Sequence, residues 1–334
     1  MTTNPEPAKR PRTLRHLLAL GLSGLAAWYF IDFVEFWQTL RQVEGGWLLL
    51  MFLLATLDRF LMAGKWFQLL RHQGHPAGFP AVLSAYYQAA IVQRFLPSSL
   101  GGDALRALVI SRRFGGTTGV LGTMVVEKLV AIIAAVFLAA LGLVLALSQS
   151  RERAFIELLI VAPVLLALVL AGFRLSLHEP LARWLVKHVP GEKVRGKLLE
   201  VYLAYAAFRS APMVLLRNFF YSFFEQSVQV LLYLASAIAL QVDASPVTII
   251  AAVAIAQCLR KFAILLEGWV FGEFTMVAVC GLLGIAASQA LAFSLLVHAV
   301  AMAAALPGLW LFARSATTLG DLRVQQPERK RQGT

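Results

Sequence analysis

The stretch FLPSSLGGDALRALVISRR, residues 95–113, interrupts an apolar run with Pro97, two serines and the pair Gly101-Gly102, then places Asp103 and Arg106 before apolar residues resume. How this break is read decides the fold, because the surrounding chain is apolar almost throughout. The 334 residues are 59% hydrophobic and 14% charged, with a mean hydropathy of +0.72. A soluble all-helical protein needs more charged surface than that. The composition therefore indicates an all-α polytopic membrane protein.

Apolar stretches lie at about 17–33, 47–70, 79–95, 117–147, 154–173, 212–240, 247–266 and 288–313. Most can cross a hydrocarbon core of roughly 30 Å. Two shorter ones, about 103–113 and 274–284, cannot, since each rises only about 1.5 Å per residue. Both follow glycine-containing breaks. The first break is either one interrupted crossing helix or a hairpin that returns to the side it entered. If it crosses, the segment 174–211, with seven Lys/Arg against three Glu, falls outside the cell, against the positive-inside rule. If it returns, nineteen Lys/Arg lie in the cytoplasm, and only Arg41, Arg151 and Arg153 lie outside.

The returning topology predicts about six full transmembrane helices and two re-entrant broken-helix hairpins, with both termini in the cytoplasm. The second hairpin, around EGWVFGEF (267–274), enters from the opposite face, which makes an inverted repeat: repeat A over 17–147 and repeat B over 154–313. Shifting the numbering by 170 places Gly102-Asp103 on Gly272-Glu273 and Lys128 on His298. Chance similarity between two glycine-containing membrane helices is the competing explanation. A single transmembrane domain is expected over 14–315, with basic tails at 1–13 and 316–334 whose composition predicts disorder. The first apolar run has no convincing cleavage site, so tail and first helix are expected to stay in the mature protein. Residues 178–210 read either as interfacial cytoplasmic helices or as a linker packed on helix ends.

Non-helical backbone at membrane depth is tolerated where protein or a water-filled cavity covers it, and paired broken helices in two inverted halves point to a transporter's midplane site. The breaks are assigned to Pro97, Gly101, Gly102, Gly268 and Gly272. Charged groups near them are the candidate substrate-binding residues: Arg94, Asp103, Arg106, Glu127, Lys128, Arg260, Glu267 and Glu273. Each intramembrane charge costs about 2.5–3.5 kcal/mol on insertion scales, so it needs a partner or a use. Asp103 and Arg106 share a helix face and can pair. A helix starting just after Gly101-Gly102 also offers free N–H groups and a positive dipole end to a phosphate. Glu225, Gln226 and Gln229 either line the same cavity or act as interhelical hydrogen-bond glue. Lys65 and Arg217, near helix ends, read as snorkelling to the interface.

At these residues the chain resembles the lysylphosphatidylglycerol synthase transmembrane-region family, the flippase-like membrane domain of bacterial multiple-peptide-resistance proteins and their single-domain relatives. The resemblance covers roughly 14–315. It is carried by LPSSLGGDALRALVISRRFG (96–115), VVEKLVAI (125–132), EGWVFGEF and ALPGLW (305–310). Asp103 stands where that family more often has Glu, Lys128 where Arg is usual, and Gly272 where Arg is expected. The resemblance implies translocation of an anionic, phosphate-bearing phospholipid or polyprenyl-phosphate-linked intermediate across a bacterial inner membrane. It implies no lysyl transfer from this chain, because no aminoacyl-transferase domain follows.

Three functions compete. The first is a lipid flippase or scramblase; no Walker motif is present, so ATP would not drive it directly. The second is a non-catalytic partner of a lipid or glycan synthesis enzyme. The third is an enzyme on a lipid phosphate, for which His72 and His75 lack a companion acid or Cys at metal spacing. Cys258 and Cys280 also lack metal or redox spacing and read as packing residues. No cofactor and no nucleic acid is expected.

Overall fold

The computed structural model describes residues 43–94, 100–148, 179–189, 191–262 and 269–311, with residue 167. The tails, the expected spans at 17–33 and 154–173, Pro97, Glu267 and Gly268 lie outside the described residues. Those described are helical, with short connections and no strands.

The helices are α1 (Gly45–His72), α2 (Phe79–Arg94), α3 (Leu100–Phe114), α4 (Thr117–Ser148), α5 (Glu179–Lys187), α6 (Glu192–Ala206), α7 (Pro212–Ala239), α8 (Pro246–Phe262), α9 (Trp269–Leu282) and α10 (Ala287–Ala305). By length and apolar composition, three cross a membrane: Gly45–His72, Thr117–Leu145 and Ala287–Leu311. The segments Val194–Ser210 and Pro212–Ala239 meet the same test as a pair, bent by 98°. The bend falls at Ala211-Pro212, where proline occupies the first turn of α7. A proline is accepted there because that N–H has no intrahelical partner, while its ring opposes continuation from the preceding residues.

Packing follows one scheme in both halves. In α1–α4, α1 packs on α2, α2 on α3, α3 on α4, and α4 on α1. In α7–α10, α7 packs on α8, α8 on α9, α9 on α10, and α10 on α7. The contacts between the halves are also matched: α1 meets α7, α1 on α10 mirrors α7 on α4, and α2 on α10 mirrors α8 on α4.

Polarity runs inside out relative to a water-soluble protein. Leu49, Phe52, Leu53, Leu57 and Phe60 are exposed on α1, as are Leu216, Phe220, Phe224, Leu231 and Ile238 on α7. Buried instead are Asp58, Lys65, Arg106, Glu127, Asn218, Glu225 and Gln226. Apolar surface turned outward at helical spacing, with ionised groups within, is the arrangement a hydrocarbon solvent favours. The chain is a multi-pass membrane protein.

Helix-to-helix contact is made with small residues and polar side chains. Asn218 Nδ2 donates to the Lys65 carbonyl at 2.8 Å, Gln226 Nε2 to the Ala131 carbonyl at 3.0 Å, and Ser236 Oγ to the Phe293 carbonyl at 2.8 Å. In the segment ALPGLW, Gly308 lies against the backbone of α2, where an added Cβ would overlap the Tyr87 carbonyl. Gly308→Ala is expected to destabilise the protein by about 1–3 kcal/mol, the usual cost of overpacking. Gly281→Ala, where a Cβ meets nothing within 4 Å, should leave melting in detergent unchanged.

Candidate functional site

The site grows from three charged positions on different helices. Lys65, two turns before the end of α1, is 2% exposed. Its Nζ lies 2.8 Å from Glu225 Oε2 on α7 and 3.7 Å from Glu127 Oε1 on α4. This corrects the snorkelling expectation: an acidic partner on each neighbouring helix holds the ammonium inside, where hydrocarbon alone would drive it to the interface. Arg217, one α7 turn nearer the helix start than Tyr221, donates through Nε to Gln68 Oε1 on α1 rather than standing free.

Glu127 continues the chain. Its Oε1 accepts from the Tyr86 hydroxyl, and its Oε2 lies 3.1 Å from Arg106 Nη1. Arg106 Nη2 lies 2.6 Å from Asp103 Oδ1, and Asp103 Oδ2 lies 2.6 Å from Lys128 Nζ. The result is an alternating ribbon, Glu225–Lys65–Glu127–Arg106–Asp103–Lys128, across α7, α1, α4 and α3. Arg106 is saturated by it: two carboxylates take its edge, while the rings of Tyr86 and Trp66 lie 4.3 and 4.9 Å from its Cζ. Trp66 is fixed in turn by donating Nε1–H to Thr123 Oγ1 at 3.0 Å. A second buried carboxylate, Asp58, lies 3.5 Å from Arg59 Nη2 and accepts from Gln229 Nε2 at 3.0 Å. Gln229 also donates to Glu225 Oε1 at 3.0 Å.

A cavity of about 140 Å³ opens beside the ribbon, lined by Arg59, Lys65, Tyr86, Gln93, Asp103, Arg106, Glu127, Lys128 and Lys261 among others. Four of the sequence-derived candidates, Asp103, Arg106, Glu127 and Lys128, meet there. Arg94 ends α2, but its side chain lies outside the described residues, as does Glu267. Glu225 binds Lys65, whereas Gln226 and Gln229 tie helices together, so the glue explanation fits the two glutamines.

Arg260 and Glu273 belong to a different cluster in the second half. Glu273 Oε1 lies 2.8 Å from His298 Nδ1, which also lies 2.9 Å from the Ser294 carbonyl. Arg260 lies against Gly272, where an added Cβ would be 3.1 Å from its Cζ. Gly102 is covered in the same manner by Gln93, whose Oε1 would be 3.1 Å from such a Cβ. Helix α3 begins at Leu100 and α9 at Trp269, so Gly101, Gly102 and Gly272 lie within first turns, not ahead of them. The two buried glycines make room for a long polar side chain from the other limb of each hairpin.

Sequence reasoning passed over Tyr86, Arg59 and Lys261 as lining residues and missed the importance of Asp58. One signal was available. A shift of 167 places Asp58 on Glu225 and Gln93 on Arg260, whereas 170 is needed after the hairpin tips, because Arg260 to Gly272 is three residues longer than Gln93 to Gly102. His72 and His75 do not act together: His72 stacks near Phe208, and His75 Nε2 lies 3.1 Å from the Gly115 carbonyl. Among the described residues, no group of three His, Cys, Asp or Glu is placed to hold a metal.

The family model for the lysylphosphatidylglycerol synthase TM region matches residues 16–308. The chain belongs to that family. The match takes in both helix sets, both clusters and all eight candidate binding positions. No curated protein and no solved structure matches the chain significantly. Membership links it to lipid biosynthesis or translocation in a membrane.

A buried ion pair broken on one side is costly, about 3–5 kcal/mol, while replacing both members by apolar groups is often neutral. Lys65→Met and Glu225→Met are each expected to lower stability by that order. The double substitution should cost clearly less than their sum in a double-mutant cycle measured by melting in detergent.

Proposed function

We propose that this protein moves an anionic, phosphate-bearing lipid or lipid-linked intermediate between leaflets of a bacterial inner membrane, as a flippase or scramblase. The observation that carries the reading is the ribbon of ion pairs bordering a cavity within an otherwise apolar bundle. Ion pairs at such depth contribute little net stability against apolar replacements, so their presence calls for a use. A head group that must leave water finds there cations already desolvated and oriented, while its tails stay in the bilayer. The start of α3 at Leu100 adds N–H groups that have no partner within the helix and a positive dipole end beside Asp103 and Arg106. Within the cavity, Lys128, with a third of its side chain exposed, is the donor nearest to hand. Arg106 supplies charge and holds Glu127 and Asp103.

The matched packing of α1–α4 and α7–α10 supports an inverted repeat with both termini in the cytoplasm. Five paired positions agree with it: Asp58 with Glu225, Gln93 with Arg260, Gly102 with Gly272, Asp103 with Glu273, and Lys128 with His298. Contact between the limbs α2 and α3, and between α8 and α9, is what returning hairpins require. In this reading Arg260, Glu273 and His298 form the half-site facing the opposite leaflet. Helix α6, bent away from the span that follows it, with Val194, Leu198 and Leu203 exposed, lies along the cytoplasmic interface.

In proteoliposomes the wild-type protein should accelerate transbilayer movement of an anionic phospholipid. Lys128→Gln should slow it by about tenfold, the value of one charge-assisted contact, with melting unchanged. Wild-type vesicles no faster than protein-free ones, across phospholipid and polyprenyl-phosphate substrates, would refute translocation.

A further inference from the structure

Two carboxylates meet where the halves join. Asp58 and Glu225 stand at the midpoints of α1 and α7, helices of 28 residues each, and the shift of 167 places one on the other. Both are buried. One amide serves the two: Gln229 Nε2 donates to Asp58 Oδ1 and to Glu225 Oε1, each at 3.0 Å. Their cations are unequal. Glu225 has Lys65 at 2.8 Å, whereas Asp58 has Arg59, whose Nη2 stands 3.5 Å away and whose side chain is the more exposed of that pair. Arg59 also lines the cavity. Among the described residues, the other charged groups acting here are Lys261 on α8, in the field of Glu225, and Glu127 on α4, through Lys65. Tyr87 on α2 meets the field of Arg59, and the titratable side chain of α10, His298, is held by Glu273.

We propose that Asp58 is a proton-binding site that couples transport to pH: a proton taken up by its carboxylate releases Arg59 to an anionic head group in the cavity, so that one proton travels with each head group. The proposal rests on the translocation reading above and names its coupling ion. A proton on Asp58 removes the repulsion between two carboxylates in a weakly screened interior and leaves the Lys65–Glu225 pair intact. A proton on Glu225 instead would strand Lys65 with Glu127 alone, at 3.7 Å. The exchange balances: Asp58 gains a proton on one carboxylate oxygen, Gln229 still has an oxygen to donate to, and Arg59 trades a carboxylate partner for the head group. Proton and head group then favour each other's binding, and by linkage the effect is reciprocal. The place suits the role, since a group half-way along a spanning helix, beside its counterpart from the other repeat, can be served from either face.

Infrared difference spectroscopy of the purified protein in detergent tests the proton site without requiring transport. Between about pH 9 and about pH 6, a range in which exposed carboxylates stay ionised, the wild type should gain the carbonyl band of a protonated carboxylic acid. Asp58→Asn should lack that band, Asp58→Glu should regain it, and Glu273→Gln should keep it. No band in the wild type, or a full band in Asp58→Asn, would overturn the proposal. Proteoliposomes carrying phosphatidylglycerol as the probe, with the membrane potential held at zero, test the coupling. A difference of one pH unit should drive the lipid towards the alkaline side to a ratio of about tenfold, the equilibrium set by one proton per head group. In Asp58→Asn the ratio should fall to one, and in Asp58→Glu it should return. A wild type that moves lipid yet reaches a ratio of one overturns the coupling and leaves translocation standing. A wild type that shows the band yet moves no lipid at any gradient defeats translocation, with Asp58 still a proton site.

Discussion

An ammonium group sealed between two carboxylates from different helices is the constraint on which the arrangement depends. Lys65 draws α7 to α1 through Glu225, and α4 to α1 through Glu127. Glu127 then has one face occupied by Tyr86 and the other by Arg106, so α2 and α3 are bound to the same centre. In hydrocarbon no water competes for these groups, and each must take its partner from protein. The helices consequently have little freedom to rotate about their axes. A turn that brought Lys65 to the lipid face would strand Glu225 and part of Glu127's capacity together.

The second half repeats the packing scheme of the first but changes the chemistry at matched places. Where Asp103 meets Lys128, Glu273 meets His298. Where the amide of Gln93 covers Gly102, the guanidinium of Arg260 covers Gly272. The positive group that the family resemblance led one to expect at position 272 is thus supplied from position 260, one limb earlier in the hairpin. A Cβ at 272 would crowd the Arg260 guanidinium, at 3.1 Å from its Cζ, so the glycine and the arginine form one feature. The two clusters are alike in geometry and unlike in charge.

The exterior and the interior differ in the way a bilayer favours. Apolar side chains at helical spacing face outward on α1 and α7, while ion pairs and amide hydrogen bonds lie within. Lys128 and Lys261 both line the cavity. Membership in the lysylphosphatidylglycerol synthase TM region family bears on the same membrane chemistry from a separate line of comparison.

The class of the molecule was legible in composition, because long apolar runs admit only the helical solution in a bilayer. A boundary between α2 and α3 was legible near the glycine pair, and the pairing of Asp103 with Arg106 in their spacing of three. The match of Gly102-Asp103 and Lys128 with Gly272-Glu273 and His298 could be read because the spacing after the hairpins is constant. Lys65 was misread, since hydropathy registers its distance from a helix end and is blind to a carboxylate 160 positions along the chain. Tyr86 carried no signal for the same reason: a tyrosine in an apolar helix acquires its role from what other helices present to it. Local pattern determined which segments are helices and where they break; the assembly of α1, α3, α4 and α7 decided which charges meet, because in a low-dielectric interior only proximity in space assigns a partner.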